Sequence, residues 1–468
     1  MPVQMPPPTA LQAYIASIPD YLLTINGEKA LRDALWVAAG KMRGARDAAV
    51  ILNLMANGSS FGLEPPPATL QFPRDHGLHL KSGMEWYYLA CDLEIEGRGE
   101  LDRIGVFFDI ARTRMVSLAV QKTANWSDAE AQVVSSIATI TLATENEART
   151  VRRRPNVQSL MMGGKLEFGN SPLRYRCGPD SFEGTGADVF PLHVKVDDGD
   201  NMQIDLIVTT QFNPKNAFFL QGRDNSGIFD GPAPGFYYSW PQLLVSGTVA
   251  TGGKSYKVKG AAWVDHQLMT ASTNMPEEPV PPTPPTPMRG WSAVSPFDGW
   301  NWCQFNLSDG SAVTFSAFQN DTIQSNLPVP DGYYVTRKGD GWQAMAITGR
   351  VQLDRFIPAG FGEKIPLFNV SMPTAWTAQL TDTHSGGKLV DLSLTAAPWY
   401  PDSSLIAGNL TTISESPANL AAIDRARLNS HSGRSRMLTG TGYFETFNYE
   451  SIESLVARSL AYLAVSEV

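Results

Sequence analysis

The sequence predicts a mainly β protein built from two consecutive antiparallel barrels or sandwiches, with a helical N-terminal extension and a short C-terminal helix. A chain of 468 residues exceeds one ordinary hydrophobic core, so two domains are expected. From about residue 84 onward, short alternating apolar and polar runs are separated by Gly, Asn and Asp, which is the pattern of antiparallel sheet. A faint internal repeat in this region favours two duplicated β domains.

The repeat consists of two short motifs that recur in the same order. Each β half opens with an aromatic-x-aromatic strand, EWYYLACDL (85–93) or GWNWCQFNL (299–307). Each half closes on glycine, aromatic and acid, in GAAWVD (260–265) or GTGYFE (440–445). The matched pairs are Trp86 with Trp300, Tyr88 with Trp302, Leu93 with Leu307, Gly260 with Gly440, Trp263 with Tyr443, and Asp265 with Glu445. In a closed barrel the first and last strands are neighbours, which would bring Trp86 and Tyr88 near Asp265.

Composition divides the chain into four segments. Residues 9–56 have helix formers and apolar spacing of three and four, and 451–465 repeats that spacing near the end. The proline-rich stretch PEEPVPPTPPTP is too poor in backbone donors for a central strand, so it marks the domain boundary. The predicted segments are a helical extension (1–62), a first β domain (63–275), a proline-rich linker (276–290), and a second β domain with the C-terminal helix (291–468).

The predicted N-terminal helix is basic and amphipathic. Its positive charges come from Lys29, Arg32, Lys41, Arg43 and Arg46. Two interpretations stay open: the helix docks on the body of the protein, or it makes a peripheral contact with a membrane surface.

Charge and cysteine content narrow the classes of partner and compartment. Lysine and arginine total 37 against 46 acidic residues, a net charge of −9, whereas nucleic-acid binding normally needs a basic face. Cys91, Cys177 and Cys303 lie far apart, without metal-ligand spacing, which favours a reducing compartment. The first residues do not resemble a signal peptide and no glycine-rich nucleotide loop occurs. We therefore expect a cytoplasmic protein that uses neither cofactor nor metal, and membrane association through the N-terminal helix stays an open alternative.

The segment 236–267 predicts a β-hairpin that turns at Gly252-Gly253. Counting outward from this turn pairs Thr251 with Lys254 and, farther along, Trp240 with Asp265. Since side chains alternate between the faces of a strand, this register fixes which side chains lie together. It places Tyr238, Trp240, Trp263 and Asp265 on one face and Ser239 and His266 on the other. A bulge at Pro241, Gly247 or Gly260 would shift this register.

A carboxyl group framed by aromatic rings has the properties of a proton donor. Desolvation raises a carboxyl pKa, so Asp265 could keep its proton at neutral pH and deliver it to a substrate. Ring faces stabilise a neighbouring cation by about 0.5–2 kcal/mol each. An acid and aromatic rings in this arrangement are suited to protonating an alkene and then stabilising the resulting carbocation. The alternative is that Asp265 fixes a turn or pairs with an arginine.

Five motifs together resemble one protein family. They are FPRDHGLH…EWYYLACDL (72–93), GFYYSWPQLLVSGTV (235–249), GAAWVDHQ (260–267), GWNWCQFNLSDG (299–310) and GTGYFETFNY (440–449). The set resembles the carotenoid 1,2-hydratases (hydroxyneurosporene synthases) and their lipocalin-like relatives, which include proteins classed as secreted hydrolases and the fungal decalin-forming Diels–Alderases. The resemblance covers roughly 70–450.

The resemblance implies two lipocalin-like β domains with an apolar pocket between or within them. It also implies that Asp265 is the proton donor, that Trp263 is its aromatic neighbour, and that Tyr238 and Trp240 form the family's polar-aromatic pair. This chain has Tyr238 where the carotenoid enzymes place a histidine. The usual aromatic-Trp-Glu-Gly approach to the final strand is also missing near 425–438.

Several other residues have two interpretations. RDHGLH (74–79) could bind a metal or form a hydrogen-bonded strap. Glu85 could activate water as a second carboxylate or pair with a barrel arginine. Trp300, Trp302 and Gln304 share one face of the strand that opens the second half, and they could line a ligand cavity or fill a core. Glu445, which the repeat matches to Asp265, is expected to be structural.

The leading hypothesis from the sequence is a cofactor-free hydratase. It would add water to an isolated C=C of a long apolar, isoprenoid-like substrate. Asp265, Tyr238, Trp240, Trp263 and Glu85 would form its catalytic group. Residues predicted to line the substrate are Trp86, Tyr88, His266, Trp300, Trp302 and Gln304. The alternatives are a polyene cyclase, pericyclase or isomerase in the same pocket, and a lipocalin-like carrier of hydrophobic ligands that performs no chemistry.

Overall fold

The computed structural model describes residues 64–448 apart from short internal gaps. The gaps are 100–101, 115–120, 122–125, 145–146, 153–155, 161–162, 187, 223–225, 230–234, 270–298, 320–325, 361–368, 383–387, 397–418 and 430–434. The predicted N-terminal helix, proline-rich linker and C-terminal helix lie outside the described residues. Within the described part, no helix has the length and apolar character needed to cross a membrane.

The first half of the described chain forms one antiparallel sheet with fourteen described strands. Short 3₁₀ turns at Arg74–His76 and Pro214–Asn216 accompany it. The strands are β1 (Met84–Ile95), β2 (Arg103–Arg114), β3 (Gln132–Thr144), β4 (Glu147–Arg152), β5 (Asn156–Gln158), β6 (Leu166–Asn170), β7 (Leu173–Cys177), β8 (Asp180–Gly184), β9 (Leu192–Asp197), β10 (Met202–Thr209), β11 (Phe219–Leu220), β12 (Ile228–Phe229), β13 (Gly235–Thr251) and β14 (Lys254–Met269).

This first sheet curls until its two ends meet. Its strands follow the order β4-β3-β2-β1-β14-β13-β10-β9-β8-β7-β6, with β5 paired to β3, and with β11 and β12 paired to β13. Asn156 of β5 closes part of the remaining gap, because its amide donates to the Cys177 carbonyl at 2.6 Å and to the Asp180 carboxyl at 2.8 Å. The first domain is therefore a nearly closed barrel.

The second half forms a closed antiparallel barrel in which each strand pairs with the next and the last with the first. Its described strands are β15 (Gly299–Leu307), β16 (Ala312–Gln319), β17 (Asn326–Arg337), β18 (Trp342–Gly360), β19 (Asn369–Asp382), β20 (Lys388–Ala396), β21 (Asn419–Asn429) and β22 (Ser435–Asn448). Two consecutive barrel-like β units confirm the fold class predicted from the sequence.

The internal repeat has a structural counterpart in strand register. In each half the opening strand pairs with the closing strand, β1 with β14 and β15 with β22. Leu93 lies opposite Gly260, and Leu307 lies opposite Gly440. A Cβ at Gly260 would approach the Asp92 carbonyl oxygen to 2.2 Å, and one at Gly440 would approach the corresponding carbonyl of β15 to 2.6 Å. The repeated glycine is thus required by the same close strand contact in both halves.

The predicted hairpin of β13 and β14 forms, with one change of register. Thr251 pairs with Lys254, as expected from the Gly252-Gly253 turn. A bulge then places two residues, Pro241 and Gln242, opposite one residue of β14. Gln242 has φ +54°, a left-handed conformation that is uncommon outside glycine. Beyond the bulge, every residue of β13 points to the face opposite the one predicted.

The two faces of the first sheet have different surroundings. The inner face points into the core of the first barrel, which includes Tyr87, Tyr238 and Trp240. The outer face packs against the second barrel in a mixed aromatic layer, where the Tyr88 and Trp302 rings meet edge to face at 5.1 Å.

Hydrogen bonds tie the two barrels together at this layer. The Tyr443 hydroxyl lies 2.8 Å from the Cys91 carbonyl and 2.9 Å from the Val106 carbonyl, so β22 contacts both β1 and β2. The Gln242 side chain, released by the bulge, donates to the Ser311 carbonyl at 2.9 Å. The bulge therefore helps to attach the second barrel as well as setting the faces of β13.

Candidate active site

A buried polar cluster lies on the inner face of the first sheet, under the 3₁₀ turn that precedes β1. We call it the inner cluster, and it consists of Asp75, His76, His79, Glu85, Arg112, Tyr238 and His266. All of its members are buried except the half-buried His79.

Glu85 is the centre of the inner cluster, and its charge is fully compensated. Its Oε2 accepts from the Arg112 Nε and Nη2 at 2.9 and 2.8 Å, and Oε1 contacts ring nitrogens of His79 and His266 at 2.9 and 3.0 Å. Burial opposes ionisation, but the Arg112 charge and the hydrogen bonds from His266 and His79 hold the pKa of Glu85 well below its usual value. Glu85 is therefore an ionised carboxylate whose two oxygens both have partners. It pairs with a barrel arginine, which is the structural interpretation that the sequence offered for it.

Three other members of the inner cluster, His76, Tyr238 and His266, form a chain of neutral groups. Burial lowers the pKa of His266, and it lowers the pKa of His76 to about 3. The Tyr238 hydroxyl lies 2.6 Å from His266 Nδ1 and 3.0 Å from His76 Nδ1. The Tyr238 hydroxyl also donates to the Asp75 carbonyl at 2.9 Å, and the neutral His266 donates from Nε2 to Glu85. The chain links the turn to β1, β13 and β14.

The outer face of the same strands carries a second group, between the two barrels. We call it the interlayer site, and it consists of Asp265, Tyr237, Ser239, Trp263, Tyr88 and Trp302. Tyr88 and Ser239 lie directly opposite Asp265 on the neighbouring strands β1 and β13. Asp265 is 2% exposed.

Asp265 accepts hydrogen bonds from neutral donors only. The Tyr237 hydroxyl donates to Oδ2 at 2.8 Å, and the Trp263 indole donates to Oδ1 at 2.6 Å. Ser239 also hydrogen-bonds the carboxyl, and its hydroxyl accepts from Gln221 at 2.7 Å. The described residues supply no opposite charge, so burial outweighs these hydrogen bonds and raises the pKa of Asp265 to about 7.

The donors also indicate where the proton of Asp265 resides. An indole N–H can only donate, so Oδ1 remains an acceptor for Trp263 whether or not the acid is protonated. A phenol can reverse its role and accept, so the proton fits on Oδ2 beside Tyr237. Near neutral pH a large fraction of molecules therefore carries a carboxylic acid with its proton on a defined oxygen.

Aromatic rings enclose the interlayer site. Trp302 reaches across from the second barrel to Tyr88, and Phe219 packs edge to face on Trp263 at 5.9 Å. Trp86 lies half-buried at the rim of the same layer. The arrangement places a buried acid with a raised pKa in a cage of aromatic side chains. Such groups can protonate a carbon and stabilise a neighbouring cation.

Comparison with known proteins establishes the relationship of this chain. The AttH-like family profile matches residues 64–352, well over half of the sequence. The chain belongs to the AttH-like family. Among curated proteins, none matches this AttH-like chain.

Two crystal structures share the fold of this AttH-like protein. The AttH protein of Nitrosomonas europaea is 18% identical, with a TM-score of 0.54, covering 83% of this chain and 100% of that one. Kievitone hydratase of Nectria haematococca is 12% identical, with a TM-score of 0.51, covering 84% of this chain and 99% of that one. At these identities the likeness concerns the fold.

The predicted catalytic group of this AttH-like protein is divided between the two faces. Asp265 and Trp263 lie together in the interlayer site. Tyr88 lies directly opposite the acid, as predicted from the pairing of the first and last strands of a barrel. Tyr238 and Trp240 were predicted on the same face as Asp265, and that prediction is wrong. The bulge at Pro241-Gln242 turns both side chains into the core of the first barrel.

The remaining predicted residues follow the same division. Glu85 and His266 lie in the inner cluster, on the opposite face from Asp265, so neither can act on a substrate held there. Trp302 and Gln304 are buried on the interlayer side of β15, and Trp86 lies at the rim. The backbone of Trp300 pairs within β15, but its side chain, like that of Glu445, is outside the described part of the structure.

The sequence did not predict Tyr237, Gln221 or Arg112, and the predicted register placed Ser239 on the face opposite Asp265, which is wrong. Tyr237 and Ser239 stood one residue from the predicted positions in FYYSW, so a correct choice among the possible bulge sites would have found both. Gln221 and Arg112 lie on other strands, and no local pattern links them to these clusters.

The RDHGLH segment forms a hydrogen-bonded strap. His79 binds Glu85 through its backbone and its ring, and Asp75 accepts from the Gln71 amide at 2.6 Å and from Arg74. Across the described residues, His, Cys, Asp and Glu side chains form no group of three arranged to hold a metal ion.

Proposed function

We propose that this AttH-like protein is a hydratase that adds water to an isolated C=C of a long apolar, isoprenoid-like substrate. One observation carries the proposal: Asp265 is a buried carboxylic acid whose pKa of about 7 results from desolvation without a neighbouring charge. Such a group is protonated and acidic at the pH at which it must work, which is the requirement for a general acid.

The aromatic cage supports carbocation chemistry at the same place. Protonation of an alkene by Asp265 Oδ2 would leave a tertiary cation on the adjacent carbon. The Tyr88 ring, directly opposite the acid, and the Trp302 ring that packs on it would stabilise that cation. Trp263 fixes Oδ1 and so orients the carboxyl. Water would then add to the cation and give a tertiary alcohol.

The fold relationship is consistent with this chemistry. Kievitone hydratase has, by its name, a hydration activity, and it shares the two-barrel fold over nearly its whole length. The preference for an isoprenoid-like substrate comes from the resemblance to carotenoid hydratases and from the apolar layer around Asp265.

The test is hydration in heavy-oxygen water. Purified protein would be incubated in H₂¹⁸O with a panel of acyclic terpenoid alkenes and with kievitone, and products would be analysed by mass spectrometry. The proposal expects an alcohol carrying one ¹⁸O. Absence of labelled alcohol across the panel would refute hydration.

The same panel of substrates distinguishes a hydratase from the alternative functions. A cyclase or pericyclase would return a product of unchanged mass without ¹⁸O, because such reactions depend on proximity rather than on added water. An isomerase run in D₂O would return rearranged alkene containing deuterium and no added oxygen. A binding protein would return its ligand unchanged.

A further inference from the structure

Hydration needs a second group that accepts a proton from water, and that group must share a face with Asp265. Glu85 and His266 are excluded from this role because they point into the first barrel. The residues paired across β14, β1 and β2 at the interlayer site include another carboxyl, that of Asp109. Tyr88 lies opposite Asp265 on one side and opposite Asp109 of β2 on the other. Directly paired residues point to the same face.

We propose that Asp109 is the catalytic base that activates water in the hydration assigned to Asp265, with Tyr88 between the two carboxyls. This inference rests on the proposed hydratase function. Asp109 is 6% exposed and lies in the same layer as Phe107 and Ile137, which face the second barrel. The pairing of β1 with β2 is sufficient to place Asp109 beside Tyr88, so no backbone movement is needed to bring the two together.

The separation of the two acids fits the reaction. Two strand spacings place the Cα atoms of Asp109 and Asp265 about 9.5 Å apart. Inverting glycosidases are a precedent for such spacing, since their acid and base carboxyl groups lie roughly 6.5–9.5 Å apart to leave room for water. An alkene lying over the Tyr88 ring would thus have an acid at one side and a base at the other.

Two other buried polar atoms in this layer support a water site beside Asp109. Thr139 of β3 pairs with Phe107, one step diagonally from Asp109, and Gln304 faces the layer from the second barrel. Within the described structure, Thr139 Oγ1 and Gln304 Oε1 are buried and make no hydrogen bond. Buried polar atoms are normally hydrogen-bonded, so these two are suited to hold a water molecule or a substrate hydroxyl.

The proton balance of the step is complete. The O–H bond of Asp265 breaks as a C–H bond forms on one alkene carbon, and the adjacent carbon becomes the cation. The oxygen of water bonds to that cation while one of its O–H bonds breaks, and the proton passes to the Asp109 carboxylate. The products are the tertiary alcohol, protonated Asp109 and ionised Asp265, and one proton moves back through solvent to complete the cycle.

The experiment compares Asp109→Asn with Asp265→Asn in two isotope assays on an acyclic terpenoid that the wild type hydrates. The first measures ¹⁸O in the alcohol, and the second measures deuterium entering recovered alkene in D₂O. Asp109→Asn is expected to lower ¹⁸O incorporation by 100-fold or more. It should keep deuterium exchange, because Asp265 still protonates carbon and takes the proton back. Asp265→Asn should lose both.

Control variants make the result interpretable. Asp92→Asn changes another buried acid on the same face, one that pairs with Arg103 at 2.6 Å, and it should hydrate at the wild-type rate. Asp109→Glu keeps a carboxylate and should retain measurable hydration, so it covers the case in which the asparagine variant does not fold.

The outcomes distinguish the two proposals. A hydrating wild type whose Asp109→Asn variant keeps its rate, or loses exchange together with hydration while folded, overturns the assignment of Asp109. An Asp109→Glu variant that folds without any hydration also counts against it. A wild type that hydrates nothing refutes the hydratase itself.

Discussion

The inner cluster and the interlayer site lie back to back on the same three strands and use neighbouring residues of the same motif. Asp265 belongs to one and His266 to the other, and Tyr237 and Tyr238 are divided in the same way. Glu85 and Asp265 are both fully buried. Their pKa values nevertheless move in opposite directions, downward for Glu85 and upward for Asp265.

The difference arises from charge, since burial is common to both. Arg112 offers Glu85 a full positive charge and two hydrogen bonds, whereas Asp265 has a phenol, an indole and a hydroxyl. Neutral donors recover only part of the hydration that a carboxylate loses on burial. A buried acid can therefore keep its proton near neutral pH where the fold withholds a counter-charge, as at Asp265, and stays ionised where the fold provides one, as at Glu85.

The largest effect is expected from Asp265→Asn. We expect turnover to fall about 10²–10⁴-fold, the usual contribution of a general acid. Asparagine keeps the shape and can still accept from Trp263 and donate to Tyr237, so the fold should persist. Activity is measured by ¹⁸O incorporation, and stability by the melting temperature at pH 8.

The sign of the stability change follows from the raised pKa of Asp265. The folded state holds the proton more tightly, so the acid becomes destabilising as pH rises through its ordinary value near 3.8, and the full penalty applies above about 7. Asparagine removes this penalty. The variant should melt at the wild-type temperature or higher at pH 8, and a clearly lower melting temperature would mean that Asp265 is structural.

Arg112→Met should produce the largest loss of stability. Removing the guanidinium leaves Glu85 as an uncompensated buried charge, which costs about 3–5 kcal/mol of unfolding free energy. Urea denaturation measures this loss. Arg176→Met is the matched control, because its pair with Glu183 lies at the surface and should be worth at most about 1 kcal/mol.

The contribution of Glu85 to stability should depend on pH in the direction opposite to that of Asp265. Because the folded pKa of Glu85 is depressed, its contribution is present above the ordinary value of 4.5 and is lost as pH falls through the folded pKa. Glu85→Gln should remove this acid-dependent loss. Equal stability of wild type and Arg112→Met would contradict the role given to the ion pair.

The smallest effect is expected from substitutions of the adjacent residues Tyr237 and Tyr238, which lie on opposite faces of β13. Tyr237→Phe removes a hydrogen bond that lowers the pKa of Asp265, so the pH at which hydration declines should rise by up to about one pH unit. Tyr238→Phe makes the same chemical change one residue away. It should leave that pH unchanged and lower stability by about 1–3 kcal/mol, since it removes a partner of His266. Identical pH–rate profiles for both variants would show that the two faces are not independent.

The sequence predicted the parts of the fold that depend on local pattern. Alternating strands, the repeated motifs and the Gly252-Gly253 turn each depend on neighbouring residues, and the register Leu93 to Gly260 reappears as Leu307 to Gly440. Asp265 was also identified correctly as a buried acid beside Trp263, because both lie on one strand two residues apart.

The faces of β13 could not be predicted, because the bulge lies at a contact between residues that are far apart in the sequence. Pro241, Gly247 and Gly260 were equal candidates in the sequence. Gly247 and Gly260 instead allow close approach of neighbouring backbones, with a Cβ at Gly247 only 2.1 Å from the Asp205 carbonyl oxygen. The bulge forms where Gln242 can reach the turn between β15 and β16 in the other barrel. Asp109 was missed for a similar reason, since only the pairing of β1 with β2 places it beside Tyr88.

The Tyr443 hydroxyl of β22 shares its proton between two strands of the first barrel. It has one proton for two carbonyls, those of Cys91 and Val106, so it can exchange one for the other without losing its hydrogen bond. A small change in the position of β22 over β1 and β2 would therefore leave this hydrogen bond intact. Trp86 lies half-buried at the far end of the layer, about 17 Å along β1 from Cys91. Under the proposed hydratase function, that side of the layer is where we expect a long apolar substrate to reach Asp265.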